Sequence, residues 1–137
     1  MALTMWNVRG LNHPSRQNEV KKLLNNLNSE IFGLLETKIR AEKFEDISKS
    51  IGNEWNCVSN ICAFPPNTPS SIWVGWRRDI WKGMILMSHR QLLHLRLDND
   101  GWLSFLLTVV YASNSREGRK ALWEALVDIS TSANCMP

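Results

Sequence analysis

The sequence predicts an α/β protein with a strand–helix–strand unit, a following set of antiparallel strands and a final helix. Within residues 3–39, a short apolar run typical of a strand is followed by apolar residues at three- and four-residue intervals, which are typical of a helix. A second short apolar run then follows. From Trp55 onward, short apolar runs alternate with turn sequences. The 137 residues, 44% apolar and 21% charged, are typical of one ordered globular domain over residues 1–137.

The stretch LTMWNVRGLN predicts the first strand. Apolar side chains fall on both faces of this extended stretch, at Leu3, Met5, Trp6 and Val8, which predicts a strand buried on both sides. Asn7 lies among them, and a buried amide without a partner costs about 1–3 kcal/mol. The sequence therefore predicts a polar group close to Asn7.

A helix is predicted after the turn-rich stretch RGLNHPS, with Asn12 or Ser15 as its N-terminal cap. Its apolar residues recur at three- and four-residue intervals and predict one buried face. These residues are Val20, Leu23, Leu24, Leu27 and Ile31.

The stretch IFGLLETK predicts a second buried strand that ends in charged residues. A strand–helix–strand crossover of this kind is almost always right-handed and leaves the two strands parallel, so their carboxyl ends share one edge of the sheet. Ligand sites of open α/β sheets lie at that edge. The crossover therefore brings Asn7 and Glu36 together and provides the polar group that Asn7 needs.

The remaining chain predicts a helix, five strands in hairpins and a last helix. The helix AEKFEDISKSIG ends at Gly52, and the final helix within SREGRKALWEALVDIS buries one apolar face. That face comprises Leu122, Ala125, Leu126 and Ile129. The strands lie around WNCVS, SIWVGW, MILMSH, LLHLRL and WLSFLLTVVYA.

Three polar residues at predicted strand ends form a candidate site. Asn7, Glu36 and Tyr111 provide an amide, a carboxylate and a phenol, of which the last follows the strand TVVYASN. Mg²⁺ commonly uses one or two carboxylates together with substrate phosphate, and an amide and a phenol can hydrogen-bond phosphate oxygens. This combination indicates metal-assisted hydrolysis of a phosphoester.

The motifs WNVRGLN, LLETK, IWVGW and VVYASN, with an arginine before LW, resemble the endonuclease/exonuclease/phosphatase superfamily over nearly the whole chain. The resemblance is specifically to endonuclease domains of non-LTR retrotransposons like those of plant genomes. It implies a deoxyribonuclease I-like fold, in which two packed β-sheets are flanked by helices. It also implies DNA as the partner of a complete domain.

The resemblance implies a role for each matching residue. Asn7 corresponds to the asparagine of the metal and phosphate hydrogen-bond network, and Glu36 to the glutamate ligand of Mg²⁺ or Mn²⁺. Tyr111 looks like the tyrosine that contacts the scissile phosphate. Arg116 and Trp123 match the arginine and LW pattern, whose role is mainly structural.

Other motifs of this superfamily do not occur among the 137 residues. They are a Gly-Asp-Phe-Asn stretch after the LW helix and a later Asp-His pair. Asp128 is predicted on a helix and His89 and His94 in hairpin strands, so none of them substitutes. We therefore expect about one half of the two-sheet sandwich, truncated at its C-terminal side, and no efficient hydrolysis by this chain alone.

A half-sandwich is expected to leave an apolar inner sheet face without a partner sheet. Some of the seven tryptophans are expected on that face, which makes it a candidate association surface. The longest apolar run, FLLTVVYA, is too short to cross a bilayer, and no signal peptide is recognised. These features favour an intracellular location, nuclear if the protein is functional.

Two alternative functions remain open on the sequence. The net charge of +3 and the three cysteines are compatible with a noncatalytic module in a reducing compartment that binds nucleic acid or protein. Its basic residues would be Lys21, Lys22, Arg77, Arg78 and Lys82. The other alternative is a phosphatase of the same superfamily, against which the arginine and LW pattern argues. Arg9 is best interpreted as a loop charge.

Overall fold

The computed structural model describes residues 2–101 and 103–134, so Trp102 and Cys135 lie outside the described residues. Three α-helices are formed: α1 (Pro14–Asn26), α2 (Phe44–Ile51) and α3 (Arg116–Asn134). The strands are β1 (Leu3–Asn7), β2 (Ile31–Ile39), β3 (Trp55–Ser59), β4 (Ser70–Arg77), β5 (Lys82–His89), β6 (Leu92–Asn99) and β7 (Leu103–Val110). Short 3₁₀ turns at Ala41–Lys43 and Ile61–Ala63 were not predicted. None of the described helices is long and apolar enough to cross a membrane.

The strands form two sheets, with the orders β1-β2-β4-β3 and β5-β6-β7. β1 and β2 are parallel neighbours, which confirms the predicted strand–helix–strand unit. The other paired strands are antiparallel, as predicted. The α/β class and the two-sheet architecture are therefore confirmed.

β1 is an edge strand of its sheet, and the prediction that it is buried on both faces is wrong. Leu3 and Met5 expose 43% and 45% of their side chains, and Asn7 is also exposed. Trp6, on the opposite face, packs against a buried core. The exposed face lies beyond the area that the three-stranded sheet covers, so apolar residues there remain in contact with solvent.

α1 begins at a histidine cap rather than at Asn12 or Ser15. The Nδ1 atom of His13 accepts a hydrogen bond from the backbone N–H of Ser15 at 3.1 Å, and Pro14 occupies the first helical position. Proline suits this position because its missing N–H has no intrahelical partner there. The histidine ring therefore replaces the expected hydroxyl or amide as the acceptor.

Three apolar clusters define the layers of the molecule. The first cluster packs α1 and α2 against the outer face of the four-stranded sheet through residues such as Val20, Ile47 and Trp73. The second lies between the two sheets and includes Val74 and Leu95. The third packs α3 against the outer face of β6, where Leu122, Ala125 and Leu92 are buried. The order of layers is helices, sheet, sheet, helix.

The expectation of a largely uncovered inner sheet face is wrong. Both sheets are present, and the cluster between them buries most of each inner face. Of the described tryptophans, four are buried, namely Trp55, Trp73, Trp76 and Trp81. Trp123 is 56% exposed, but it lies on α3 and not on a sheet face. The inner faces are covered because this part of the chain already builds strands of both sheets. The exposed apolar residues on these faces lie on the edge strands, at Leu3 and Met5 of β1, Ile85 of β5 and Leu103 of β7.

Candidate active site

Glu36 lies in an irregular part of β2 rather than at the strand end. The pairing of β2 with β4 shifts register between Leu35 and Ile39. Within this interval Glu36 and Lys38 have φ angles of 58° and 55°, in the left-handed region. Each such conformation costs about 1–3 kcal/mol for a non-glycine residue and is concentrated at functional sites. The bulge thus turns the Glu36 side chain out of the regular strand.

The loop after β1 fixes the backbone of this bulge. The N–H of Gly10 donates to the carbonyl oxygen of Glu36 at 2.7 Å, and the N–H of Leu11 donates to that of Thr37 at 3.0 Å. Thr37 is fully buried and Gly10 has a φ of 97°, which glycine adopts without strain. The strained backbone is therefore held by hydrogen bonds from the neighbouring loop.

Asn7 is placed beside Glu36 by the parallel pairing. Asn7 is opposite Leu35 in the register, one position before Glu36. Its Oδ1 atom accepts a hydrogen bond from the N–H of Arg9 at 3.2 Å, which leaves the amide in a local turn at the surface. The pairing thus places Asn7 next to the bulge that carries Glu36, although Asn7 is exposed and not buried.

The Glu36 carboxylate has a cationic neighbour. Its Oε1 atom lies 3.8 Å from the Nζ atom of Lys38, and the side chains are 28% and 61% exposed. An exposed ion pair of this length contributes little stability, so the lysine is free to exchange for another cation or for solvent.

Tyr111 follows the last residue of β7 and lies at the same end of the molecule. Its N–H donates to the carbonyl oxygen of Gln91 at 2.8 Å, and its ring packs against the core between the sheets. A Cβ atom added to Gly33 in β2 would lie 2.6 Å from the sulfur of Met5 in β1 and 3.8 Å from the side chain of Val109 in β7. Side chains of β1 and β7 therefore lie next to β2 at Gly33.

The fully buried Asn60 shows that β2 and β7 end at the same edge, and sequence reasoning missed it. Its Oδ1 atom accepts from the N–H of Ile72 at 3.0 Å, and its Nδ2 atom donates to the carbonyl oxygen of His89 at 3.0 Å. Ile72 pairs with Leu35, while His89 ends β5 next to the turn whose Gln91 accepts from the N–H of Tyr111. Asn60 therefore joins the two sheets where Asn7, Glu36 and Tyr111 lie.

A basic groove extends from this edge along the start of α1. Its volume is about 380 Å³, and its lining includes Arg9, His13, Arg16 and Lys38. Glu19 partly neutralises the groove, because its Oε2 atom lies 3.0 Å from Nη1 of Arg16. The positive end of the α1 dipole adds to the cationic character. Arg9 is thus a groove residue and not merely an isolated loop charge.

The remaining predicted residues lie outside this edge or serve the fold. Arg116 is the first residue of α3, and Asp128 lies on α3 as predicted. His89 and His94 lie in β5 and β6, also as predicted. The His94 ring hydrogen-bonds Thr108 at 2.7 Å, and burial lowers the pKa of this imidazole below its usual value.

Arg77 and Arg78, two of the basic residues considered for a noncatalytic binding module, form hydrogen bonds within the fold. Arg77 Nε donates to the carbonyl oxygen of Ser29 at 3.1 Å, and Arg78 Nη2 donates to that of Trp55 at 2.9 Å. The backbone N–H of Arg77 also donates to the carbonyl oxygen of Glu30 at 2.8 Å, and Glu30 directly precedes β2, at the opposite end of the sheet from Glu36. These arginines stabilise the fold and do not extend the basic groove.

Among residues 2–101 and 103–134, no group of three or more His, Cys, Asp and Glu side chains is placed to hold a metal ion. Glu36 nevertheless fits a hard cation such as Mg²⁺, because its carboxylate is partly exposed and already has a cationic neighbour. The amide oxygen of Asn7 and the phenol of Tyr111 belong to the same chemical class of oxygen donors.

No protein-family model and no curated protein matches this chain. Solved structures do match it. The endonuclease domain of TRAS1, a telomere-specific non-LTR retrotransposon, has a TM-score of 0.67 at 6% identity over 96% of this chain and 52% of that chain. An endonuclease/exonuclease/phosphatase family protein from Bacteroides thetaiotaomicron has a TM-score of 0.69 at 11% identity, over 98% of this chain and 57% of that chain.

An AP endonuclease from Leishmania major has a TM-score of 0.59 at 18% identity over 86% of this chain and 42% of that chain. Phosphatases are also among the matching structures. The chain thus spans about half the length of the solved structures that it matches. The resemblance drawn from its motifs is confirmed at the level of architecture: the chain has the fold of the endonuclease/exonuclease/phosphatase superfamily.

Proposed function

We propose that this chain provides the N-terminal part of a metal-dependent, retrotransposon-type DNA endonuclease. The observation that carries this proposal is the strained bulge at Glu36, held beside Asn7 at the edge where Tyr111 also lies. Strain in a carboxylate-bearing strand is retained where surrounding contacts enforce it, and such positions concentrate at functional sites. The matching fold of a retrotransposon endonuclease domain supports the same reaction class.

Each residue has a distinct proposed role. Glu36 would hold Mg²⁺ or Mn²⁺ through its carboxylate, and the bound ion would stabilise charge on the phosphate and lower the pKa of an attacking water. The Asn7 amide and the Tyr111 hydroxyl donate hydrogen bonds to phosphate oxygens. In the absence of metal, Lys38 is the cationic partner of the Glu36 carboxylate, and a bound cation would replace it.

The basic groove supports a polymeric substrate. Arg9 and Lys38 connect the site edge to Arg16 and the start of α1, so phosphates on one side of the reacting bond meet a continuous cationic surface. A phosphatase acting on a single phosphomonoester does not need such an extension. The groove therefore favours the endonuclease over the phosphatase alternative, and the occupied Arg77 and Arg78 disfavour the binding-module alternative.

Metal binding tests the role of Glu36. Titration of Mn²⁺ into the chain, followed by electron paramagnetic resonance of the free ion, is expected to show one bound ion that Glu36→Gln abolishes. Glu45→Gln is the matched control, because Glu45 is an exposed carboxylate in α2. Equal Mn²⁺ binding by Glu36→Gln and the unmodified chain would overturn the assignment.

DNA binding tests the groove. Anisotropy of a labelled duplex, measured across a salt titration, is expected to show a salt slope that Lys38→Ala reduces by about one. Lys120→Ala, at an exposed position of α3, is the control that should leave the slope unchanged. Identical slopes for both variants would exclude the groove as the phosphate-binding surface.

Hydrolysis by this chain alone is expected to be inefficient, since the Gly-Asp-Phe-Asn and Asp-His motifs do not occur in it. Nicking of supercoiled plasmid in Mg²⁺ measures this directly. Nicking that disappears in Glu36→Gln would refute the proposed inefficiency, and it would at the same time support the endonuclease assignment.

A further inference from the structure

A second cavity opens at the same edge of the molecule, beyond the end of β2. It has a volume of about 280 Å³ and lies between residues 40–42 and the segment that connects β3 to β4. We call it the loop pocket, and its lining includes Arg40, Glu42, Ile61, Cys62, Phe64 and Pro65. None of the roles proposed above for Asn7, Glu36 or Tyr111 uses it.

Several contacts give the loop pocket a defined shape. The N–H of Thr68 donates to the carbonyl oxygen of Pro65 at 3.2 Å, and Asn67 has a φ of 66°, as in a type II turn. Arg90 Nε donates to the carbonyl oxygen of Ala63 at 3.3 Å. Its guanidinium lies 6.0 Å from the centre of the Phe64 ring, so this ring is held from one side.

The lining combines flat apolar walls with polar groups at the rim. Phe64 and Pro65 provide the walls, while Arg40 and Glu42 are exposed. A nucleobase has the complementary form, because its faces are apolar and its edge carries donors and acceptors. Stacking of a base on an aromatic side chain contributes about 1–3 kcal/mol.

We propose that the loop pocket binds one unstacked nucleobase of the DNA substrate, with its face on Phe64 and its phosphates near Arg40 and Arg90. This inference rests on the proposed endonuclease function and adds a substrate feature to it. A base within a regular duplex is not accessible to such a pocket, so the preferred substrate has an unpaired or extruded nucleotide.

The distance from the candidate active site fits this arrangement. Arg40 follows Glu36 by four residues, which span at most about 14 Å. This length corresponds to about four base-pair steps of 3.4 Å. The captured base therefore lies within a few nucleotides of the phosphate at Glu36, close enough for the pocket to determine where the strand is placed.

The rim makes the pocket selective among bases. The Glu42 carboxylate accepts hydrogen bonds and cannot donate them, so it favours bases with an exocyclic amino group, namely cytosine, adenine and guanine. Thymine lacks an exocyclic amino group and is expected to bind more weakly.

The test compares two labelled DNA duplexes, one fully paired and one with a single bulged adenine, by fluorescence anisotropy. The bulged duplex is expected to bind about five- to 150-fold more tightly, which corresponds to about 1–3 kcal/mol for one stacked base. Phe64→Ala is expected to abolish this preference, whereas Trp123→Ala, an exposed aromatic on α3, preserves it. Equal affinities of the unmodified chain for the two duplexes would overturn the proposal.

A second measurement uses the unmodified chain. Cys62 is exposed in the pocket, while burial raises the pKa of the Cys57 thiol to about 11, so Cys57 is mostly protonated and reacts slowly at pH 8. Bulged DNA is expected to protect Cys62 from alkylation, as followed by peptide mass spectrometry, and paired DNA is not. Unchanged alkylation of Cys62 would also overturn the proposal. Neither result depends on Mn²⁺ binding at Glu36, so failure of the pocket and failure of the active site are distinguishable.

Discussion

Asn60→Ala is expected to destabilise the chain by about 3 kcal/mol because it removes the amide that joins the two sheets. The substitution leaves the backbone N–H of Ile72 and the carbonyl oxygen of His89 without this partner, and it also removes the contacts to Ser71 and Arg90. An unsatisfied buried group costs about 1–3 kcal/mol. Ile72 is fully buried, so its N–H is assigned about 2 kcal/mol, whereas the groups around His89 are partly exposed and are assigned about 1 kcal/mol, which gives the sum of about 3 kcal/mol.

Urea unfolding, followed by tryptophan fluorescence and by circular dichroism, measures this change. A loss of this size is a large fraction of the about 5–15 kcal/mol that stabilises a typical domain. Asn56→Ala is the matched control, because Asn56 is exposed on the neighbouring strand and its loss should change stability by less than about 0.5 kcal/mol. A loss below about 1 kcal/mol in Asn60→Ala would show that this amide does not hold the sheets together.

Three further substitutions test packing, titration and capping. Gly75→Ala places a Cβ against the Phe32 ring and is expected to cost about 1–3 kcal/mol in urea unfolding; a neutral effect would mean that the ring moves freely. The lowered pKa of His94 means that the folded chain binds fewer protons than the unfolded chain just below about pH 6.5, so stability falls on acidification through this range. His94→Gln should flatten this pH dependence of the free energy of unfolding. An unchanged slope would show that another group causes it. Ser115→Ala removes the hydroxyl that accepts a hydrogen bond from the N–H of Gly118 at the start of α3. Loss of this cap should lower the free energy of unfolding by about 1 kcal/mol and lower Tm, and an unchanged Tm would show that Ser115 does not cap the helix.

The strand–helix–strand unit was predictable because its signals are local. Residue spacing alone distinguishes the first strands from α1, and a connection that contains a helix then favours parallel strands, because parallel neighbours need a crossover of a dozen or more residues. The register that places Asn7 opposite Leu35, one position before Glu36, follows from these two facts. The hairpins from β3 to β7 were predicted for the same reason, since turn residues punctuate short apolar runs.

The environment of the site could not be predicted in the same way. Asn60 gives no periodic or motif signal, and its five hydrogen bonds involve partners 11 to 30 residues away. The left-handed conformations of Glu36 and Lys38 also have no signal in the sequence, because neither residue type favours them. The cap at His13 depends on one ring rotamer that propensities do not specify.

The sequence by itself determined the class of fold, the order of the elements and the edge at which the candidate metal ligand lies. These properties depend on local periodicity and on the constant handedness of strand crossovers. Only the tertiary structure decided that both sheets cover each other, that Glu36 is held in a strained bulge, and that a pocket opens beyond it. These properties arise from contacts between residues far apart in the chain, whose energies depend on complementary shapes and paired polar groups that no local pattern encodes.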